Sequence, residues 1–132
     1  MSFFLHTGVF QPSGGVGLII LTAMSFAILM SLITLVEMVA LQLLRWGNTR
    51  QSMRASLAMN LTSSVVGILL LVLFPHPNVR NLLSTWIILV AIEGGVLTRI
   101  RPETPRYNWF TAAVANLASY ILLILPAFLF RG

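Results

Sequence analysis

The chain has 132 residues, 58% of them hydrophobic and only 8% charged, with a net charge of +5 and no cysteine. Soluble domains carry roughly a quarter charged residues, so a soluble fold with a polar surface is excluded. Disulfides, thiolate metal centres and iron–sulfur clusters are excluded with it, and the isolated His6 and His76 lack metal-ligand spacing.

Residues 1–15 contain no Arg or Lys and carry Phe3, Phe4, His6 and Phe10, which predicts an aromatic segment lying along the outer membrane interface. The Gly-rich run Ser13-Gly14-Gly15-Val16-Gly17 is no phosphate loop, because no strand precedes it and no Lys follows. A hydrocarbon core ~30 Å thick needs about 20 apolar residues per spanning helix. The first uncharged run, Val16 to Leu44, exceeds that, which implies tilt or a projecting outer turn. With no basic residue before it, this run reads as a permanent span and not as a cleaved signal. Further spans are expected from Ala55 to Phe74, Asn81 to Thr98 and Tyr107 to Phe130. The connections Trp46–Arg54, Pro75–Arg80 and Arg99–Arg106 are short, so successive helices are antiparallel neighbours in one all-α domain, residues 16–132, a four-transmembrane-helix bundle. Trp46, Trp86 and Trp109 fall near span ends, where belt residues sit. Pro126 predicts a bend near Leu122, since proline removes an intrahelical hydrogen bond.

Orientation follows from the cations, because basic residues near span ends are retained on the cytoplasmic side. Arg45, Arg50 and Arg54 flank the first connection and Arg99, Arg101 and Arg106 the third, leaving Arg80 and Arg131 on the other side. Both chain ends and the turn around His76, between Pro75 and Pro77, are therefore expected outside, with two basic turns in the cytoplasm. These six arginines read as topology determinants and lipid-phosphate contacts. No basic stripe or aromatic platform suggests nucleic acid.

Residues 31–74 align without gaps on residues 87–130. Glu37/Glu93, Leu41/Leu97, Arg45/Arg101, Arg50/Arg106, Asn60/Asn116 and Ser63/Ser119 are identical at a constant offset of 56. Apolar matches mean little in so hydrophobic a chain, but Glu and Asn are rare inside membrane spans. The bundle is therefore expected to consist of two tandem two-helix repeats. An even number of spans per copy gives both the same orientation, related by a pseudo-two-fold axis along the membrane normal.

Glu37 lies about 12 Å up its helix from Arg45 at ~1.5 Å per residue, and Asn60 about 9 Å in from Arg54 on the antiparallel partner. The two side chains share a depth, and Glu93 with Asn116 repeats the arrangement. Ser63 and Ser119 lie one turn farther out on the Asn face. The expected site is a buried cluster of Glu37, Asn60, Ser63, Glu93, Asn116 and Ser119 inside the bundle. A charge at mid-bilayer costs roughly 2.5–3.5 kcal/mol even on a mild scale, so the simplest state is a neutral acid clamped to an amide. A cluster that exchanges a proton or cation, or orients a polar ligand, fits the same residues. So does a carboxylate ionised by Arg45 or Arg101 curling inward. Ser56, Asn60, Ser64 and Gly67 on the second span, Gly94 and Gly95 on the third, and Ala112 on the fourth let backbones approach.

Val36-Glu37, Ala58-Met59-Asn60-Leu61 and Ser63-Ser64-Val65-Val66-Gly67 together resemble the filament-integrity membrane proteins of filamentous cyanobacteria. In that family a Glu late in one span is followed in the next by Asn-Leu-x-Ser and then Gly. The resemblance covers residues 36–67 and implies a non-catalytic role at cell–cell junctions, carrying over Glu37, Asn60, Ser63 and Gly67. The second copy departs from it, with Leu123 where Gly67 would recur.

No nucleophile, metal cluster or oxyanion donor set can be assembled, so the chain is not expected to be an enzyme. The expected function is that of a structural or accessory subunit in a cell membrane, read as a bacterial plasma membrane. Its partners are the lipid bilayer and other membrane subunits or further copies of itself. The alternative is a small proton- or cation-coupled carrier or channel using Glu37 and Glu93. Pigments, quinones and lipids leave no short motif, so no cofactor is assigned.

Overall fold

A computed structural model describes residues 14–73 and 79–130. The described residues form α1 (Gly14–Leu43), α2 (Thr49–Leu73), α3 (Val79–Ile100) and α4 (Pro105–Ser119). A π-helical turn (Tyr120–Ile124) and a short α5 (Leu125–Leu129) follow. Among the described residues, four helical stretches are long and apolar enough to cross a membrane: Gly14–Leu43, Thr49–Leu70, Leu83–Ile100 and Pro105–Ile124. The expected anchor around Phe3, Phe4, His6 and Phe10 and the turn bearing His76 lie outside the described residues. Gly14 and Gly15, counted with that anchor from the sequence, belong to α1.

The helix ends differ from the uncharged runs because capping, unlike hydropathy, does not stop at the hydrocarbon boundary. α2 begins at Thr49, six positions before the expected Ala55. The Asn48 side chain accepts the Gln51 N–H at 2.9 Å, and the Gln51 side chain accepts the Asn48 N–H at 3.1 Å. This reciprocal cap satisfies two otherwise orphan donors. Arg50 and Arg54 are therefore helical, and the first connection is shorter than expected. α4 likewise opens on Pro105, whose fixed φ suits a first helical position, which places Arg106 in its first turn. α1 closes in a Schellman motif: Trp46 N–H donates to Leu41 O and Arg45 N–H to Gln42 O, both at 2.9 Å. Arg45 takes the left-handed position at φ 55°. Leu41 and Trp46 then meet in the core, as the motif favours.

Each helix packs against two others, α1 on α2 and α4, and α3 on α2 and α4. The bundle is a four-membered ring with α1 diagonal to α3 and α2 diagonal to α4. Among the described residues, every buried side chain falls within residues 33–63 or 93–119. The core thus occupies the half of the bundle nearer the α1–α2 and α3–α4 turns. Leu41, Trp46, Ala55, Met59, Leu97 and Ala112 form its apolar part. Small side chains allow the close approach: a Cβ on Gly94 would lie 2.4 Å from the Trp109 ring. In the other half, side chains such as Leu18, Val72, Leu83 and Leu122 stay exposed, as lipid-facing surface does.

Where a bend was expected near Leu122, the helix has a wide, π-helical turn over Tyr120–Ile124. Pro126 has no N–H to offer the carbonyl of Leu122. The preceding turn relaxes to i→i+5 bonding, with Leu125 N–H donating to Tyr120 O.

Candidate functional site: a buried ring of carboxyl, amide and hydroxyl groups

Glu37 and Glu93 are each only 1% exposed, so whatever satisfies them must come from neighbouring helices. On α2, Asn60 donates from Nδ2 to Glu37 Oε2 at 2.5 Å and to the Ser56 carbonyl at 3.1 Å. On α4, Asn116 donates from Nδ2 to Glu93 Oε2 at 2.9 Å. Each acid is thus tied to the next helix in the chain. Further links close the circle. Ser119 Oγ donates to Glu37 Oε1 at 3.4 Å, from α4 to α1, and Ser63 of α2 stands against the Glu93 carboxyl of α3. All four helices contribute, and the diagonal acids lie near enough to feel each other's charge.

The serine hydroxyls are shared with the backbone. Ser63 Oγ reaches Asn60 O at 3.4 Å and Ser119 Oγ reaches Asn116 O at 3.0 Å. Both hydroxyls are thereby pinned to the turn that presents the amide. Ser56 sits on the same face of α2, donating to Thr34 O at 2.7 Å and lying beside Glu37. The structure therefore gathers Glu37, Asn60, Ser63, Glu93, Asn116 and Ser119 in one buried layer and adds Ser56. The two Glu–Asn pairs needed only depth and helix adjacency to foresee. The serine links between the two hairpins required the ring order of the helices, which no spacing contains.

A second polar layer binds the two short turns. Trp46 Nε1 donates to Asn108 Oδ1 at 2.8 Å, and Asn108 Nδ2 donates to the Arg101 carbonyl at 2.6 Å. The Arg101 guanidinium donates from a terminal nitrogen to the Trp46 carbonyl and lies 5.4 Å from the centre of the Trp46 ring, a cation–π distance. Tyr107 Oη donates to the Leu44 carbonyl. Trp46 is consequently a fully buried residue, which corrects its reading as a belt residue. Its indole found a partner inside the protein 62 positions away. Asn108 and Tyr107 were missed altogether, and their only sequence signal was polar character at the start of the fourth span.

Because this layer joins the turns, Arg45, Arg50, Arg54, Arg99, Arg101 and Arg106 gather at one end of the bundle. All are exposed except Arg101, which is half-buried. Arg101 Nε pairs with Glu103 Oε1 at 3.4 Å, and Arg45 points away in its left-handed turn, so neither arginine reaches a buried carboxyl. The reading in which one of them ionises Glu37 or Glu93 is set aside on that geometry.

No protein-family model, curated protein or solved structure matches this chain.

Proposed function

We propose that the chain is a non-catalytic integral membrane protein, a four-span scaffold that packs beside partner subunits or further copies of itself. The observation that carries this reading is that both intramembrane acids are engaged within the chain by amides and hydroxyls from adjacent helices. Such a ring specifies which helices meet and in what register. Hydrogen bonds between membrane helices average about 0.6 kcal/mol, with a maximum near 1.7, so several in one layer define a fold without dominating its stability. The apolar surface of the outer half remains for lipid or partner helices.

Within this proposal the two hairpins are tandem copies in the same orientation, related by a pseudo-two-fold axis along the membrane normal. The constant offset of 56 between Glu37/Glu93, Asn60/Asn116 and Ser63/Ser119 supports it, as do two Asn-to-Glu bonds of equal sequence separation, 23 residues each. The arginine-rich end faces the cytoplasm and both termini face outward, as the positive-inside rule directs.

A second reading has its own observation. Among the described residues the ion pair formed is Arg101–Glu103, so two neighbouring acids lie in the membrane with no cation against them, as in a proton or cation carrier. The double variant Glu37→Gln with Glu93→Gln separates the two, because Gln keeps an acceptor oxygen for the asparagine and offers its amide N–H to the serine hydroxyl, which still donates to the backbone, without the ionisable proton. For a scaffold, a C-terminally tagged double variant extracted in mild detergent brings down the same companion proteins, or elutes as the same oligomer, as the parent. A proton or cation flux in reconstituted vesicles that the parent shows and the well-folded double variant lacks overturns the scaffold reading.

A further inference from the structure

At the turn end of the bundle, a cavity of about 510 Å³ opens between the first turns of α2 and the last turn of α3, lined by Trp46, Gln51, Arg54, Ile100, Arg101 and Glu103. Its volume falls within the ~300–1,000 Å³ of small-molecule sites. It is independent of the carboxyl ring and of the scaffold reading. We infer that this cavity binds the phosphodiester headgroup of an anionic phospholipid.

Charge and placement support that ligand class. Of the six arginines at this end, Arg54 and Arg101 line the cavity, against one carboxylate, Glu103, which leaves a net positive charge. Arg101 is held in place by the Trp46 carbonyl, the Trp46 ring and Glu103. Those contacts use two of the five donors a guanidinium carries, so the remainder are pre-positioned and cost little ordering entropy on binding. Arg54 is exposed and makes no hydrogen bond or ion pair within the described residues. The cavity also lies beside the positive end of α2, whose first turn contains no acid. Its level in the bilayer suits a headgroup, because the membrane-crossing stretches Thr49–Leu70 and Leu83–Ile100 both end there. Ile100, half exposed at the rim, offers an apolar wall to the glycerol and upper acyl carbons. Basic pockets between helices at this level are where anionic headgroups bind.

Soluble phosphate shares the chemistry, and the experiment tells the two apart. The delipidated full chain in detergent is titrated with phosphatidylglycerol, phosphatidylcholine or inorganic phosphate, and retained ligand is read by native mass spectrometry. One phosphatidylglycerol per chain is expected, retained about tenfold better than phosphatidylcholine. Arg54→Gln, an exposed position with no packing role, lowers that retention about tenfold. Arg50→Gln, on the same helix but off the cavity, leaves it unchanged, and Glu103→Gln raises it by releasing Arg101. Equal losses from Arg50→Gln and Arg54→Gln mean diffuse surface charge and overturn the site. Displacement of the lipid by millimolar phosphate assigns the cavity to a soluble anion and overturns the lipid. Failure to retain phosphatidylglycerol in the folded parent overturns both.

Discussion

A methyl group on Gly94 would stand 2.4 Å from one Trp109 ring carbon and 2.8 Å from two others, whereas one on Gly95 would meet nothing within 4 Å. Two adjacent glycines thus have opposite meanings, because neighbouring helical positions face directions about 100° apart. Gly94→Ala must displace an indole that packs on the helix backbone beside Glu93. A loss of roughly 1–3 kcal/mol is expected, the usual cost of overpacking a tight contact, read as a lower midpoint in a denaturing-detergent titration. Gly95→Ala keeps the midpoint or raises it by up to about 1 kcal/mol through helix propensity. If both variants behave alike, the close approach of α3 to Trp109 is not what restrains that helix. At this scale the sequence was informative about depth. The rise per residue placed Glu37 level with Asn60, and Glu93 level with Asn116. It was silent about neighbours across the ring. That is why Ser119 was set on the right face of its helix yet had no assigned partner, and why Trp46 was taken for a residue of the interface.

Between elements, the turn layer joins what the chain order leaves apart. α1 and α4 are distant in sequence, and beside the Ser119–Glu37 bond they are tied by Trp46 to Asn108 and by Tyr107 to the Leu44 carbonyl. Asn108→Leu leaves the buried Trp46 Nε1 without an acceptor and the Arg101 carbonyl without a donor. Unmet buried polar groups cost about 1–3 kcal/mol each. Asn108→Asp retains the acceptor for Trp46 but turns a carboxylate oxygen toward the Arg101 carbonyl and buries a charge, so it too is expected to destabilise. A double-mutant cycle pairing Asn108→Leu with Trp46→Phe is expected to show a coupling of about 0.5–3 kcal/mol. Strict additivity would mean the two turns touch without holding each other. The helices themselves were legible because a bilayer demands long apolar runs. Their ends were not, because Asn48 with Gln51 and the proline at Pro105 carry helix past the last uncharged residue. Pro126 had suggested a bend near Leu122, whereas the structure has a π-helical turn over Tyr120–Ile124, a form that depends on how the neighbouring turn relaxes.

For the whole molecule, the arginines at the turn end combine two duties that one variant can separate. Arg101 holds the turn layer together, whereas Arg50, Arg54, Arg99 and Arg106 are exposed and make no bond that the fold depends on. If they set orientation, replacing these four with Gln disturbs topology and leaves the bundle intact. The chain contains no cysteine, so a single introduced thiol reports without background. Pro102→Cys, at an exposed position in the α3–α4 turn, is expected to resist a membrane-impermeant maleimide in intact cells and to label after lysis. Arg80→Cys, at the opposite end of α3, labels in intact cells. Adding the four Arg→Gln replacements to Pro102→Cys brings a substantial labelled fraction in intact cells, because the charge bias between the two ends is then removed. The purified quadruple variant keeps its unfolding midpoint within about 0.5 kcal/mol, since surface substitutions away from a core seldom exceed that. Labelling of Pro102→Cys in intact cells without the four replacements would reverse the orientation, and with it the side of the membrane that the basic cavity faces. A collapsed midpoint with unchanged labelling would instead make those arginines part of the fold.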